Sequence, residues 1–186
     1  MQRIIYIFSV CLLLIACSTL SEEQFLNSPF HVPPVGSRVQ LHQRLNVEPG
    51  YSRAFIQGGE SRMPDELKIR DPYCQFYRFE PPEALQTRRY IEMDEFLIIR
   101  AYQSEDIAVL KPQRLARLST AAMFIMDDDS PSSMTLSTVM KLKSGNQPEI
   151  IELKCAIFTD PFVENFLSIK EIQTTLGKVA TLHIQL

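Results

Sequence analysis

Hydrophobic and polar positions alternate over much of this chain, the period of a strand with one face buried. From Arg38 onward, Val39, Leu41, Leu45 and Val47 fall on one face and Gln40, His42, Arg44 and Asn46 on the other, with Gln43 the exception on the apolar side. Glu48-Pro49-Gly50 turns the chain, and Tyr51 to Gln57 predicts a second strand ended by Gly58-Gly59. Tyr73 to Phe79 is aromatic on both faces and predicts an inner strand containing Cys74. Glu95 to Tyr102 and the shorter Ile107 to Leu110 are rich in β-branched and aromatic residues and predict two more strands. The clearest hairpin follows. Met134, Leu136, Thr138, Met140 and Leu142 alternate with polar neighbours, Ser144 to Pro148 forms the loop, and Ile151, Leu153, Cys155 and Ile157 share one face of the return strand.

Elsewhere the period breaks. Arg62 to Asp71 contains Pro64 and mixed charges and predicts a loop. Pro81-Pro82 interrupts the chain, and Glu83 to Arg89 fits a turn of helix or a loop. Gln113 to Met126 fits a helix through Leu115, Leu118 and Ala122, and a strand over its last five residues. Near the C-terminus Ser168-Ile169-Lys170-Glu171 has the form of a capping box, flanked by Leu167 and Ile172 at the staple positions. Gly177 stands where a helix of about two turns would end, and Lys178 to Ile184 predicts a closing strand. Together these elements predict a mainly β protein, an antiparallel sandwich or open barrel of about seven to nine strands with a short C-terminal helix.

One segment has neither period. Ile4 to Ala16 is continuously apolar apart from Ser9, with Arg3 before it and Ser18, Thr19, Ser21, Glu22 and Glu23 after it. At roughly 13 residues it is shorter than the ~20 that a spanning helix needs, so a secretory signal is the better reading than a transmembrane helix. The segment Leu14-Ile15-Ala16-Cys17 resembles the lipobox of bacterial lipoproteins. That resemblance implies cleavage before Cys17 and lipidation of its thiol. With Ser18 rather than Asp as the next residue, it implies the outer membrane, the domain facing the periplasm. The single basic residue, Arg3, departs from the fuller positive start of such signals. The expected organisation is a signal peptide over 1–16, lipidated Cys17 with a flexible tether to residue 37, and one β-rich periplasmic domain over 38–186. As a random coil the tether would span about 25 Å, unless Phe25, Leu26 and Phe30 dock on the domain instead.

Charge narrows the partners. The chain has 19 Lys and Arg against 22 Asp and Glu; one basic residue, Arg3, leaves with the signal, so the mature balance is about −4 and unclustered. That argues against nucleic acid and offers no basic patch for an anionic membrane. The membrane is therefore expected as a partner through acyl chains on Cys17 alone, and stable anchoring needs more than one chain. Cysteine usage follows from the resemblance: Cys11 departs with the signal and Cys17 is taken by lipid, leaving Cys74 and Cys155. In an oxidising compartment such a pair is expected as a disulfide, with two buried reduced thiols as the alternative.

Catalytic and metal signatures are sparse. His31, His42 and His183 have no ligand spacing, and the chain contains no HExxH, GxSxG, Walker loop or GxGxxG. Asp127, Asp128 and Asp129, followed by Ser130-Pro131, are weak candidates for Ca²⁺. They lack the alternate spacing of a calcium loop, and a solvated acidic turn accounts for them. No metal site or cofactor is therefore expected. The layout of anchor, tether and small domain loosely resembles envelope lipoproteins at large, which transfers no activity. The expected function is a lipid-anchored envelope binding or assembly module without catalysis, with an envelope protein as partner. Tyr51, Tyr73, Tyr77, Tyr90 and Tyr102 are its candidate contacts. The alternatives are a periplasmic hydrolase or metal-dependent enzyme using Asp127 to Asp129, and a small-ligand carrier with an apolar pocket.

Overall fold

The computed structural model describes residues 21–68, 70–107, 134–160 and 165–186. Ten strands dominate it: β1 (Arg38–Leu41), β2 (Leu45–Val47), β3 (Arg53–Gln57), β4 (Glu60–Arg62), β5 (Tyr73–Arg78), β6 (Arg89–Ile91), β7 (Glu95–Ile107), β8 (Met134–Lys143), β9 (Ile150–Thr159) and β10 (Ala180–His183). Two helices accompany them, α1 (Glu22–Asn27) and α2 (Ile169–Leu176), with a 3₁₀ turn over Pro82–Gln86. Eight strands form one antiparallel half-barrel in the order β10-β1-β7-β8-β9-β5-β3-β4, and β2 pairs with β6 separately. Of the two architectures expected, the open barrel is the one that forms.

The expected first strand is divided in two. Its alternation fails at Gln43, and there the chain leaves the main sheet. Val39 and Leu41 remain in β1 between β10 and β7, whereas Leu45 and Val47 pair with β6. All four side chains are buried, as is Ile91 opposite Leu45. The strand expected at Glu95–Tyr102 runs on to Ile107 as β7, whose partner β8 stays in register from Arg100↔Lys141 to Ile107↔Met134; the rest of the strand expected at Ile107–Leu110 lies outside the described residues. The expectations for Gln113 to Met126 lie outside the described residues.

The curled sheet presents its inner face to α2. Cross-strand pairs put Ile56, Cys74 and Cys155 in one row, and Ala54, Phe76, Leu153 and Met140 in the next. All are buried and belong to one core with Ile169, Ile172 and Leu176 of the helix. α2 forms where the sequence predicts it. The Ser168 hydroxyl accepts from the Glu171 N–H at 3.3 Å, and the Glu171 carboxylate accepts from the Ser168 N–H at 2.8 Å. Burying Ile169, Ile172 and Leu176 places the apolar stripe on one side of a two-turn helix.

That helix closes the open side of the half-barrel. It packs on β3 and β5 near one edge and on β10 at the other. The Gln173 amide donates to the Leu182 carbonyl at 3.1 Å, and the Gly59 N–H, in the β3–β4 turn, donates to the Thr175 carbonyl at 2.9 Å. The β10 edge is thus satisfied in part by a helix group, which limits strand addition there.

Residues 21–37, read as a tether or a docked segment, begin with α1. Ser21 and Gln24 form a second capping box. Phe25 and Leu26 pack against the core, whereas Phe30 remains 75% exposed. Cys74 and Cys155 lie directly opposite each other on β5 and β9, with Cα atoms 4.0 Å and sulfurs 2.07 Å apart.

Candidate functional site

The face of the sheet opposite the core is neither plain solvent surface nor core. Because side chains alternate along a strand, the residues between the buried inner rows all point outward. Register across five strands gathers them into rows. Arg53, Tyr77, Glu152, Lys141 and Arg100 form one, and Phe55, Gln75, Lys154, Val139 and Tyr102 the next. Each row crosses four strand spacings, about 19 Å. Tyr73 follows in a third row with Ala156 and Ser137.

Local contacts organise this face. The Arg53 guanidinium lies 5.8 Å from the Tyr77 ring centre and that of Arg100 lies 5.1 Å from the Tyr102 ring centre, both within cation–π range. The Lys141 ammonium donates to Glu152 at 2.5 Å, and Lys154 donates to Asp106 at 2.8 Å. The Lys141–Glu152 hydrogen bond raises the lysine pKa above its ordinary value, against the opposing effect of burial. Burial raises the Tyr73 phenol above its ordinary value, with nearby Arg53 lowering it and Asp106 raising it, so these three groups share one neighbourhood. Arg53, Arg100, Lys141 and Lys154 outnumber Glu152 and Asp106, which makes the face locally basic on a chain whose net charge is −3.

The structure therefore brings together three of the five tyrosines singled out as contacts, Tyr73, Tyr77 and Tyr102. The other two sit at the end of the barrel beside β2 and β6. There the Arg44 guanidinium covers Tyr90 at 4.3 Å, and the Tyr51 carbonyl accepts from Arg89 at 2.6 Å. That end is held by a partly buried ionic cluster in which Glu80 pairs with both Arg78 and Arg89, and Arg78 also reaches Glu149 at 3.3 Å. Burial, with Arg78 alongside, lowers the Arg89 pKa from its ordinary value. Every charge in the cluster is partnered, as buried charges must be. It is a brace rather than a site.

A second polar cluster fixes the β8–β9 loop. The Asp94 carboxylate accepts from the Ser144 hydroxyl at 2.5 Å, from the Asn146 amide at 3.1 Å, from the Gln147 amide at 3.3 Å and from the Glu95 N–H at 2.8 Å. Burial acts to raise its pKa, but these four donors outweigh it and hold the carboxyl below its ordinary value. The sequence reading missed both clusters, since each joins residues tens of positions apart.

A cleft of about 380 Å³ opens between the segment after β4 and α2. Arg62, Glu66, Lys68, Asp71 and Glu171 line it, so its charge is mixed rather than convergent. Glu66 is engaged by the Met63 N–H at 3.0 Å and Glu171 by its own helix cap. The Gln57 side chain pins the cleft wall, donating to the Lys68 and Asp71 carbonyls and accepting from the Lys68 N–H.

The histidines are kept apart. His31 stacks on Phe25 at 4.6 Å, His42 meets the Thr181 hydroxyl at 2.6 Å, and His183 ends β10. Among the described residues no group of three His, Cys, Asp or Glu side chains is arranged to hold a metal ion. Cys17 and Asp127, Asp128 and Asp129 lie outside the described residues. Comparison with protein families, curated proteins and solved structures finds no match to this chain.

Proposed function

We propose that the chain is a lipid-anchored cell-envelope binding module. It is held on the outer membrane through acyl chains on Cys17, with its domain in the periplasm presenting the outer sheet face to an envelope protein. The observation that supports this reading is the pair of cross-strand rows on that face. Together with Tyr73 beside them, they set three half-buried tyrosines among four basic side chains across five strands, around Gln75 and Val139, which are buried. Tyrosine and arginine supply large contact area at low conformational cost, which is why they dominate binding hot spots. The local excess of positive charge suits a partner surface rich in carboxylates.

Site-specific photo-crosslinking in the producing cell tests the proposal. A photoreactive phenylalanine at Tyr77 or Tyr102 is expected to give a discrete protein adduct that disappears in the Arg53→Glu, Arg100→Glu double variant. The same group at Met93, which is exposed away from this face, is expected to give none. No adduct at either tyrosine, or the same adduct from all three positions, rejects the binding face. Acyl labelling that survives Cys17→Ala rejects the anchor.

A further inference from the structure

We infer that the domain lies directly on a lipid surface, with the α1 end of the barrel against the bilayer and Phe30 entering the interfacial region. The inference rests on the lipoprotein reading of Cys17 and adds an orientation to it.

The carrying observation is that the chain is already seated on the domain within a few residues of Cys17. α1 is seated on the domain from its cap onward: Ser21 caps it, Phe25 and Leu26 pack on the core, and the helix lies against α2. Pro29 is held as well, its carbonyl accepting from the Gln103 amide at 2.6 Å. Only four residue steps separate Cys17 from Ser21, and fully extended they reach about 14 Å. That is comparable to the headgroup layer plus a little water, since the polar regions account for roughly 5 to 8 Å on each side of the hydrocarbon. A protein acylated at Cys17 has no tether with which to leave the surface.

The topology identifies the end that faces the lipid. Gln103, which grips Pro29, lies far along β7, whereas Asp94 and Met93 precede that strand's start. Nine residues of strand separate Asp94 from Gln103, on the order of 30 Å. Phe30 and Met93 are therefore at opposite ends of the domain. Phe30 is 75% exposed although its neighbours Pro29 and His31 are fixed, so its ring is presented rather than free to fold inward. An aromatic ring held this way gains by entering the acyl boundary. Glu22 and Glu23, exposed in the first turn of α1, disfavour an anionic surface. The surface that fits is zwitterionic.

The chain contains no tryptophan, so Phe30→Trp and Met93→Trp each provide a single indole reporter at an exposed site. The full-length acylated protein is reconstituted into phosphatidylcholine vesicles with and without brominated acyl chains, and the same samples are floated on a density gradient. The expected result is flotation of both variants, with the emission of Phe30→Trp blue-shifted and quenched at least threefold more than that of Met93→Trp. Inserting ten Gly/Ser residues after Leu20 is expected to abolish that difference while flotation persists. Flotation without preferential quenching at position 30 overturns the orientation alone. Failure to float overturns the anchor reading and the orientation with it.

Discussion

Gly59 and Gly177 meet backbone to backbone where the β3–β4 turn touches the end of α2. A Cβ built on Gly177 would stand 2.5 Å from the Gly59 Cα, and one built on Gly59 would stand 3.2 Å from the Gly177 Cα. Both residues have positive φ, +75° and +50°, so a side chain at either would be strained even with space around it. This contact is how the helix is fastened to the far side of the sheet it closes.

Gly177→Ala is accordingly expected to destabilise the domain by about 2 to 4 kcal/mol, the cost of backbone strain plus a forced separation. Gly145→Ala, at a residue without positive φ and with open space around it, is expected to be neutral within about 0.5 kcal/mol. Urea unfolding of the two variants measures the difference. Equal midpoints would show that the glycine contact is incidental.

Cys74 and Cys155 close a loop with a sequence separation of 81. In the chain-entropy account a bridge of that span contributes roughly 4 to 5 kcal/mol by restricting the unfolded chain. Oxidised protein is expected to resist unfolding by about that much over dithiothreitol-treated protein, with Cys74→Ser and Cys155→Ser each matching the reduced form. Mass spectrometry of a non-reducing digest from the envelope is expected to contain the linked peptides. Two free thiols there would refute the bridge.

Asp94 gives the fold a pH dependence of definite sign. Its folded pKa is depressed, so the stability it contributes is fully present above the unfolded aspartate value of about 3.9 and is lost as pH falls through the lower folded value. At pH 7, Asp94→Asn is expected to cost about 1 to 2 kcal/mol, the low end for charged hydrogen bonds because the site is partly solvated. Repeating the unfolding curves below pH 4 is expected to shrink the gap between variant and parent. A gap that is constant from about pH 7 to about pH 2.5 would assign the loss to geometry rather than charge.

Thr138 has a fully buried hydroxyl with no hydrogen-bond partner among the described residues, in register with Cys155. Replacing the hydroxyl with a methyl group of similar shape removes that desolvation cost. Thr138→Val is expected to raise stability by about 1 kcal/mol. A melting temperature lowered by the substitution would show that the hydroxyl is satisfied in solution.

What was legible in the sequence was local. The alternation at Met134 to Lys143 and the capping box at Ser168 were readable because strand period and cap chemistry act over two to four residues. Phe25 and Leu26 had docking as an open alternative, but the second capping box, Ser21 to Gln24, went unread beside the three prolines that follow it. The strands β4 and β6 are three residues each, too short for a period to register, and exist because β3 and β2 offer them edges. The outer face was least legible of all. Tyr77 and Arg100 come to share one row only after β5, β9, β8 and β7 have aligned, and no linear spacing encodes that register.

The order of the sheet also sets a timetable. β1, the first of the described strands, pairs with β10, the last of them, and the Gln185 N–H donates to the Ser37 hydroxyl across 148 positions. A ribosome must release the chain through residue 183 before β1 has both its neighbours, and such distant pairing makes folding slow. A nascent chain stalled or clipped before Ala180 is therefore not a slightly shorter domain. It is an open sheet with β1 unpaired along one side, the form that proteases and aggregating strands engage first.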